Sequence, residues 1–142
     1  MNTEFLNYIN WVAVIVASVA YFALGAIWYS KLLFAKKWIA YLNLDVNDPN
    51  AKKGIGLMFG GSLVLMFIQC LAIAILANRL GIVGNGWMSG VKLGALTGCC
   101  FCATAVGVNY FYEKKPLGLF FINAGYAVAG NIIAAVILCM WQ

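Results

Sequence analysis

Histidine is absent from this chain of 142 residues, and acidic residues number only four: Glu4, Asp45, Asp48 and Glu113. None of the four lies deep in an apolar segment. General acid–base and metal-assisted chemistry draw on His and on paired carboxylates, so no catalytic set can be assembled and no cofactor or metal is expected. Proton-coupled carriers usually need an intramembrane ionisable relay, and that is missing too. Charge of either sign is scarce, at 9% of residues. The charged positions leave four uncharged runs, 5–30, 54–78, 93–112 and 116–142. Each reaches the ~20 residues that a membrane-spanning helix requires. Apolar residues make up 65%, against about 45–50% in soluble domains. A water-soluble domain is excluded, and so is a large extramembrane catalytic head. The reading is an all-α, polytopic integral membrane protein: one domain over 1–142, with spans at about 8–30, 54–78, 87–112 and 117–141.

The net charge of +5 is informative through its placement. Lys31, Lys36, Lys37, Lys52 and Lys53 lie between the first and second runs, and Lys114 and Lys115 between the third and fourth. The other side collects only Arg79 and Lys92. Basic residues in short loops mark the cytoplasmic side, which puts both termini outside. Together with Trp38, these lysines form a membrane-surface set suited to anionic lipid head groups, each worth about 1 kcal/mol; nucleic acid is not the expected partner. The first run is not expected to be a cleaved leader, because Glu4 precedes it without a basic residue.

The five cysteines, Cys70, Cys99, Cys100, Cys102 and Cys139, all fall inside apolar runs. There Cys behaves as a small hydrophobe. The cluster at 99–102 suggests soft-metal ligation, but neighbouring helix positions point about 100° apart, so packing is the better reading.

Aromatic pairs mark the two interfaces of the first span, Tyr8 and Trp11 at one end and Trp28 and Tyr29 at the other. Next, Leu32, Ala35, Ile39 and Leu42 recur at helical spacing with Lys36 and Lys37 to the side. That pattern predicts a short interfacial helix over about 31–43. The acidic stretch from Asp45 lacks the Gly and Glu of a calcium loop. It reads instead as a helix start, with Asp48 as cap and Pro49 in the first turn.

Glycine spacing suggests close helix contacts. Gly90, Gly94 and Gly98 form a ridge on the third span, Gly56 and Gly60 on the second, and Gly125 with Ala129 on the fourth. Small residues at this spacing let helix backbones approach in lipid, either within one bundle or against a second subunit. Buried asparagine must find partners. By helical depth, Asn109 and Asn123 meet near Tyr126 and Trp28, giving a candidate polar cluster that is either an interhelical clamp or a pocket open to the cytoplasm.

Two stretches carry a resemblance. They are Gly25-Ala-Ile-Trp-Tyr-Ser-Lys-Leu-Leu-Phe-Ala-Lys-Lys-Trp38 and Asn109-Tyr-Phe-Tyr-Glu-Lys-Lys-Pro-Leu-Gly-Leu-Phe-Phe-Ile-Asn-Ala-Gly-Tyr126. Both resemble a small bacterial membrane family catalogued as domain of unknown function seventeen sixty-one. Lys31 and Ala35 stand where that family usually has Pro and Gly, and Ala127 where it often has His. The resemblance implies four helices in a bacterial inner membrane and brings no activity with it. The expected role is a small oligomeric pore or carrier for a neutral or anionic solute. The alternatives are an accessory subunit docked on a larger membrane partner and, least favoured, a lipid-modifying enzyme.

Overall fold

The computed structural model describes residues 7–44, 49 and 53–141; Asp45, Asp48 and Lys52 lie outside them. Among the described residues four helices are long and apolar enough to cross a membrane: Trp11–Trp28, Ile55–Arg79, Trp87–Tyr112 and Leu117–Met140. A short helix, Ala35–Leu42, follows the first. Helices satisfy their own backbone groups, as lipid demands. The chain is an all-α polytopic membrane protein.

Local chemistry sets the ends. Asn10 caps the first span, its Oδ1 accepting from Ala13 N–H at 3.1 Å. The second span starts at Ile55 and not near Pro49, because Gly54 before it takes φ 84, a left-handed conformation no helix continues through. Between the second and third spans, Gly84 N–H donates to Cys139 O at 2.7 Å and ties the connection to the end of the fourth span. In the short helix Ala35, Trp38, Ile39 and Leu42 turn inward while Lys36 and Lys37 are exposed. Leu32 does not share that stripe and is 88% exposed. Phe34 and Ala35 bond back to Trp28 O and Ser30 O, making a turn that holds Leu32 ahead of the helix.

The fourth span is the centre of the bundle and touches every other helix. Its closest neighbour is the third. A Cβ placed on Gly90 would sit 2.5 Å from Val136 Cα, one on Gly94 would sit 2.6 Å from Asn131 O, and one on Gly98 would sit 2.7 Å from Val128 Cα. The glycine ridge of the third span is therefore consumed within the chain. Gly56 and Gly60 differ, since no described residue lies within 4 Å of either added Cβ and residues 55–60 are all exposed.

Residues Gly98–Ala103 of the third span form a π-helical turn. A four-residue step on an α-helix advances the face by about 40°, so a strict four-residue ridge drifts around the helix. The wide turn absorbs one residue and resets the phase. Thr97 and Thr104 flank it; their hydroxyls donate to carbonyls one turn back, at 3.0 Å to Leu93 O and 2.7 Å to Cys100 O. Cys102, Val106 and Tyr110 consequently stay on the inner side, while Phe101, Val108 and Asn109 are exposed. Cys99 and Cys100 are exposed as well, so the three clustered thiols do not converge. Among the described residues no three His, Cys, Asp or Glu side chains gather to hold a metal.

Alanine substitution separates the two sets of glycines. Gly94→Ala drives a methyl into the backbone at Ile132 and is expected to cost about 1–3 kcal/mol through overpacking. Gly60→Ala meets open space and is expected to be neutral or to stabilise by up to about 1 kcal/mol. Reversible unfolding in mixed micelles measures both, and equal effects at the two positions would contradict the packing described.

Candidate functional site

The neutral polar side chains of the spans gather in two connected groups. The first lies at the lysine-rich end. Tyr29 O–H donates to Asn123 Oδ1 at 2.7 Å, and Asn123 Nδ2 donates to Tyr110 OH at 2.5 Å, so one amide on the fourth span joins the end of the first span to the third. Trp28 Nε1–H donates to Ile122 O at 3.0 Å, using the spare lone pair of a helix carbonyl. Rings close around these bonds. Tyr126 lies 5.3 Å from Tyr29 and 6.3 Å from Trp28, and Trp38 of the short helix lies 5.4 Å from Tyr29. A Cβ placed on Gly125 would lie 3.2 Å from the Trp28 ring, so a side chain there would push the ring outward. At the surface, Lys115 pairs with Glu113 and stands 5.0 Å from the Tyr110 ring centre. Its hydrogen bond to Glu113 holds the Lys115 ammonium above the usual lysine range.

The second group lies deeper, where all four spans cross. Tyr126 O–H reaches Tyr21 O at 3.3 Å and so links the two groups. Tyr21 O–H donates to Ala127 O at 3.3 Å. Asn131 Nδ2 also donates to Ala127 O, at 2.7 Å, and lies 3.5 Å from Cys102 Sγ. Gln69 Nε2 donates to the same sulfur at 2.8 Å. The phase set by the π-helical turn brings Cys102 here. Asn131 is fully buried, and its Oδ1 has no partner among the described residues.

Of the residues singled out from the sequence, Trp28, Asn123 and Tyr126 do come together. Asn109 does not join them. It is exposed, and Tyr110 takes the place facing Asn123 because the π-helical turn shifts the register by one. Tyr21, Tyr29, Gln69, Cys102, Tyr110 and Asn131 complete the network and were not singled out as site residues. Lys31, Lys36, Lys37, Lys53, Lys114 and Lys115 are exposed, with Trp38 half-buried. The network at the lysine-rich end is bonded and closed. At the opposite end Asn78 Nδ2 donates to Tyr8 O at 2.9 Å, and a crevice of about 110 Å³ opens beside this bond between Tyr8, Asn10, Ala13, Ala74, Asn78 and Trp141. Beside it runs an apolar groove between Val16, Val136 and Met140.

The Asn123 bonds can be weighed directly. Tyr29→Phe leaves Asn123 Oδ1 without its donor, which costs about 1–3 kcal/mol for a buried acceptor. Adding Asn123→Leu removes the orphaned amide, so the double variant is expected to fall short of the sum of the singles by at least about 0.5 kcal/mol. A double-mutant unfolding cycle reads this coupling, and strict additivity would mean the bond contributes nothing.

No curated protein and no solved structure matches the chain. A family model does, from the first turn of the first span to the last turn of the fourth. Residues 12–139 match the family described as Protein of unknown function (DUF1761), and the chain belongs to that family.

Proposed function

We propose that this protein is a small, non-catalytic membrane carrier for a neutral polar solute. The observation that carries this reading is the asymmetry of the bundle's two ends. The amide–tyrosine clamp at Asn123 closes the lysine-rich end, while a crevice enters from the end that holds Tyr8 and Trp141. One end bonded shut and the other open is the arrangement of a carrier resting in one of two access states, and it argues against a continuously open pore. The walls argue for a neutral cargo over an anionic one. Tyr, Asn, Gln and Cys supply the polar groups of the network, and Asn10 and Asn78 those of the crevice. Lys92, the basic residue inside the third span, is exposed on the outside.

In this proposal the lysine-rich loops face the cytoplasm of a bacterial inner membrane, where their charges hold anionic lipid. A Lys53→Cys variant should then react with impermeant thiol reagents only from the cytoplasmic side; labelling from outside would invert the orientation. The uncovered turn at Gly56 and Gly60 is the surface for a second copy in a homo-oligomer. That same turn, with the exposed Lys36–Lys37 face, also supports a second reading as an accessory subunit docked on a larger membrane protein. Crosslinking in native membranes separates the two: self-crosslinks favour the oligomer, and one dominant foreign partner favours the accessory role.

The carrier reading is tested by osmotic swelling of proteoliposomes with a panel of small neutral solutes, glycerol and urea among them. The unaltered protein should accelerate entry of at least one of them. Asn123→Leu should abolish that acceleration while incorporation stays equal. Flux indistinguishable between variant and wild type would remove Asn123 from the path.

A further inference from the structure

We infer that the crossing of the four spans at Asn131 is a binding site for one small neutral molecule, held by a hydrogen bond that the molecule donates to Asn131 Oδ1. The argument begins with the direction of the amide. Asn131 Nδ2 stands 2.7 Å from Ala127 O. A carbonyl oxygen only accepts, so the atom facing it must be the NH2 group. Turning the amide over would set two acceptors against each other. Oδ1 is therefore the end left over. It is on a side chain with 0% exposure and has no partner among the described residues.

The neighbours cannot supply the missing donor. Tyr21 O–H is committed to Ala127 O at 3.3 Å. Gln69 Nε2 is directed at Cys102 Sγ at 2.8 Å. The remaining Asn131 N–H lies toward Cys102 Sγ at 3.5 Å and Tyr21 OH at 3.4 Å. The Cys102 thiol is a weak donor and makes no bond to Oδ1. A buried acceptor left in this state is costly, and in lipid no solvent approaches from the side to relieve it.

The chemistry of the occupant follows. It must donate, because an acceptor is what the site offers. It must be neutral, because the side chains that meet here, Tyr21, Gln69, Cys102 and Asn131, carry no balancing charge, and an unpaired ion at this depth is strongly disfavoured. It must be small: the Tyr21 ring lies directly against Gly130, and a Cβ on Gly98 would already be 3.3 Å from Asn131 Cβ. A water molecule meets all three conditions, as does the N–H or O–H end of a compact solute. Buried water characteristically bridges polar groups that the protein leaves unpaired. The π-helical turn that carries Cys102 into the crossing adds a second mark, since such turns recur at functional positions. The site does not depend on transport, since a bundle that moves nothing across the membrane can still hold its occupant.

The test uses the full chain in lipid nanodiscs with 15N-labelled asparagine. Magnetisation transfer from water to the Asn131 side-chain NH2, measured on the wild type, reads bound water directly. A cross-peak is expected for this wholly buried amide. If the peak is absent, native mass spectrometry of the same sample distinguishes the other source, a retained non-lipid mass that disappears in Asn131→Leu. Either result supports the site. A wild-type protein with no water transfer and no retained mass would overturn it, and that measurement requires no variant to fold.

Discussion

The contact on which the rest of this bundle depends is the approach of the third span's glycines to the backbone of the fourth. Lipid tails are as apolar as leucine, so helices in a membrane gain little from burying hydrophobic surface and associate through close contact instead. Gly90, Gly94 and Gly98 meet the fourth span at Val136, Ile132 and Val128, one turn apart each time. No other residue type fits there. With the two backbones this near, the rotation of the third helix is fixed along half its length. The fixed rotation then determines which residues beyond Gly98 can face inward. An uninterrupted α-helix would carry the inner face around toward Phe101, Ala105 and Asn109. The π-helical turn at Gly98–Ala103 keeps it on Cys102, Val106 and Tyr110.

From that phase the two polar groups follow. Cys102 reaches Gln69 and Asn131, and Tyr110 reaches Asn123. These are bonds among neutral groups, each worth about 0.5–1.5 kcal/mol net. They suit an interior that could not tolerate unpaired charge. Glycine is used a second time, to admit rings against the helices: Gly125 takes Trp28 and Gly130 takes Tyr21. Aromatic residues at helix ends ordinarily sit at the head-group level. Here Trp28 and Tyr29 turn inward, donating to the carbonyl of Ile122 and the amide of Asn123.

Much of this was legible in the sequence, and the rest was not, for physical reasons. Long uncharged runs between lysines define membrane helices because charge is expelled from hydrocarbon, so four spans and a short amphipathic helix could be read directly. Depth along a helix could be read too, which is how Trp28, Asn123 and Tyr126 were placed together. Rotation could not. Counting rise along the helix put Asn109 at the depth of Asn123, and a single wide turn gave the place facing it to Tyr110. The deep group fails for the same reason, since Tyr21, Gln69, Cys102 and Asn131 meet only once the phases of four helices are known. Glycine spacing shows that a close approach is permitted and not what approaches. Gly94 and Gly60 look alike in sequence, yet one touches backbone and the other nothing.

The two ends of the bundle also differ in how they could move. Where glycine lies on backbone, as at Gly94, no side chain can swing aside, and separation would have to lift the whole third helix. The lysine-rich end is held by side chains: Trp28 on Ile122, Tyr29 on Asn123, and Asn123 on Tyr110. At roughly 1 kcal/mol net for each such bond, releasing all three costs about 3 kcal/mol. The second span offers the least resistance, because residues 55–60 are exposed, touch the first span through the Phe59 ring on Phe22 and do not hold the clamp. A displacement at that end would therefore pivot on the small-residue core of Ala13, Ala17, Ala74 and Ala135 and leave the glycine seam intact. The seam fixes the third and fourth spans to each other through backbone contact, whereas the first span is held to the fourth at this end by side-chain bonds alone.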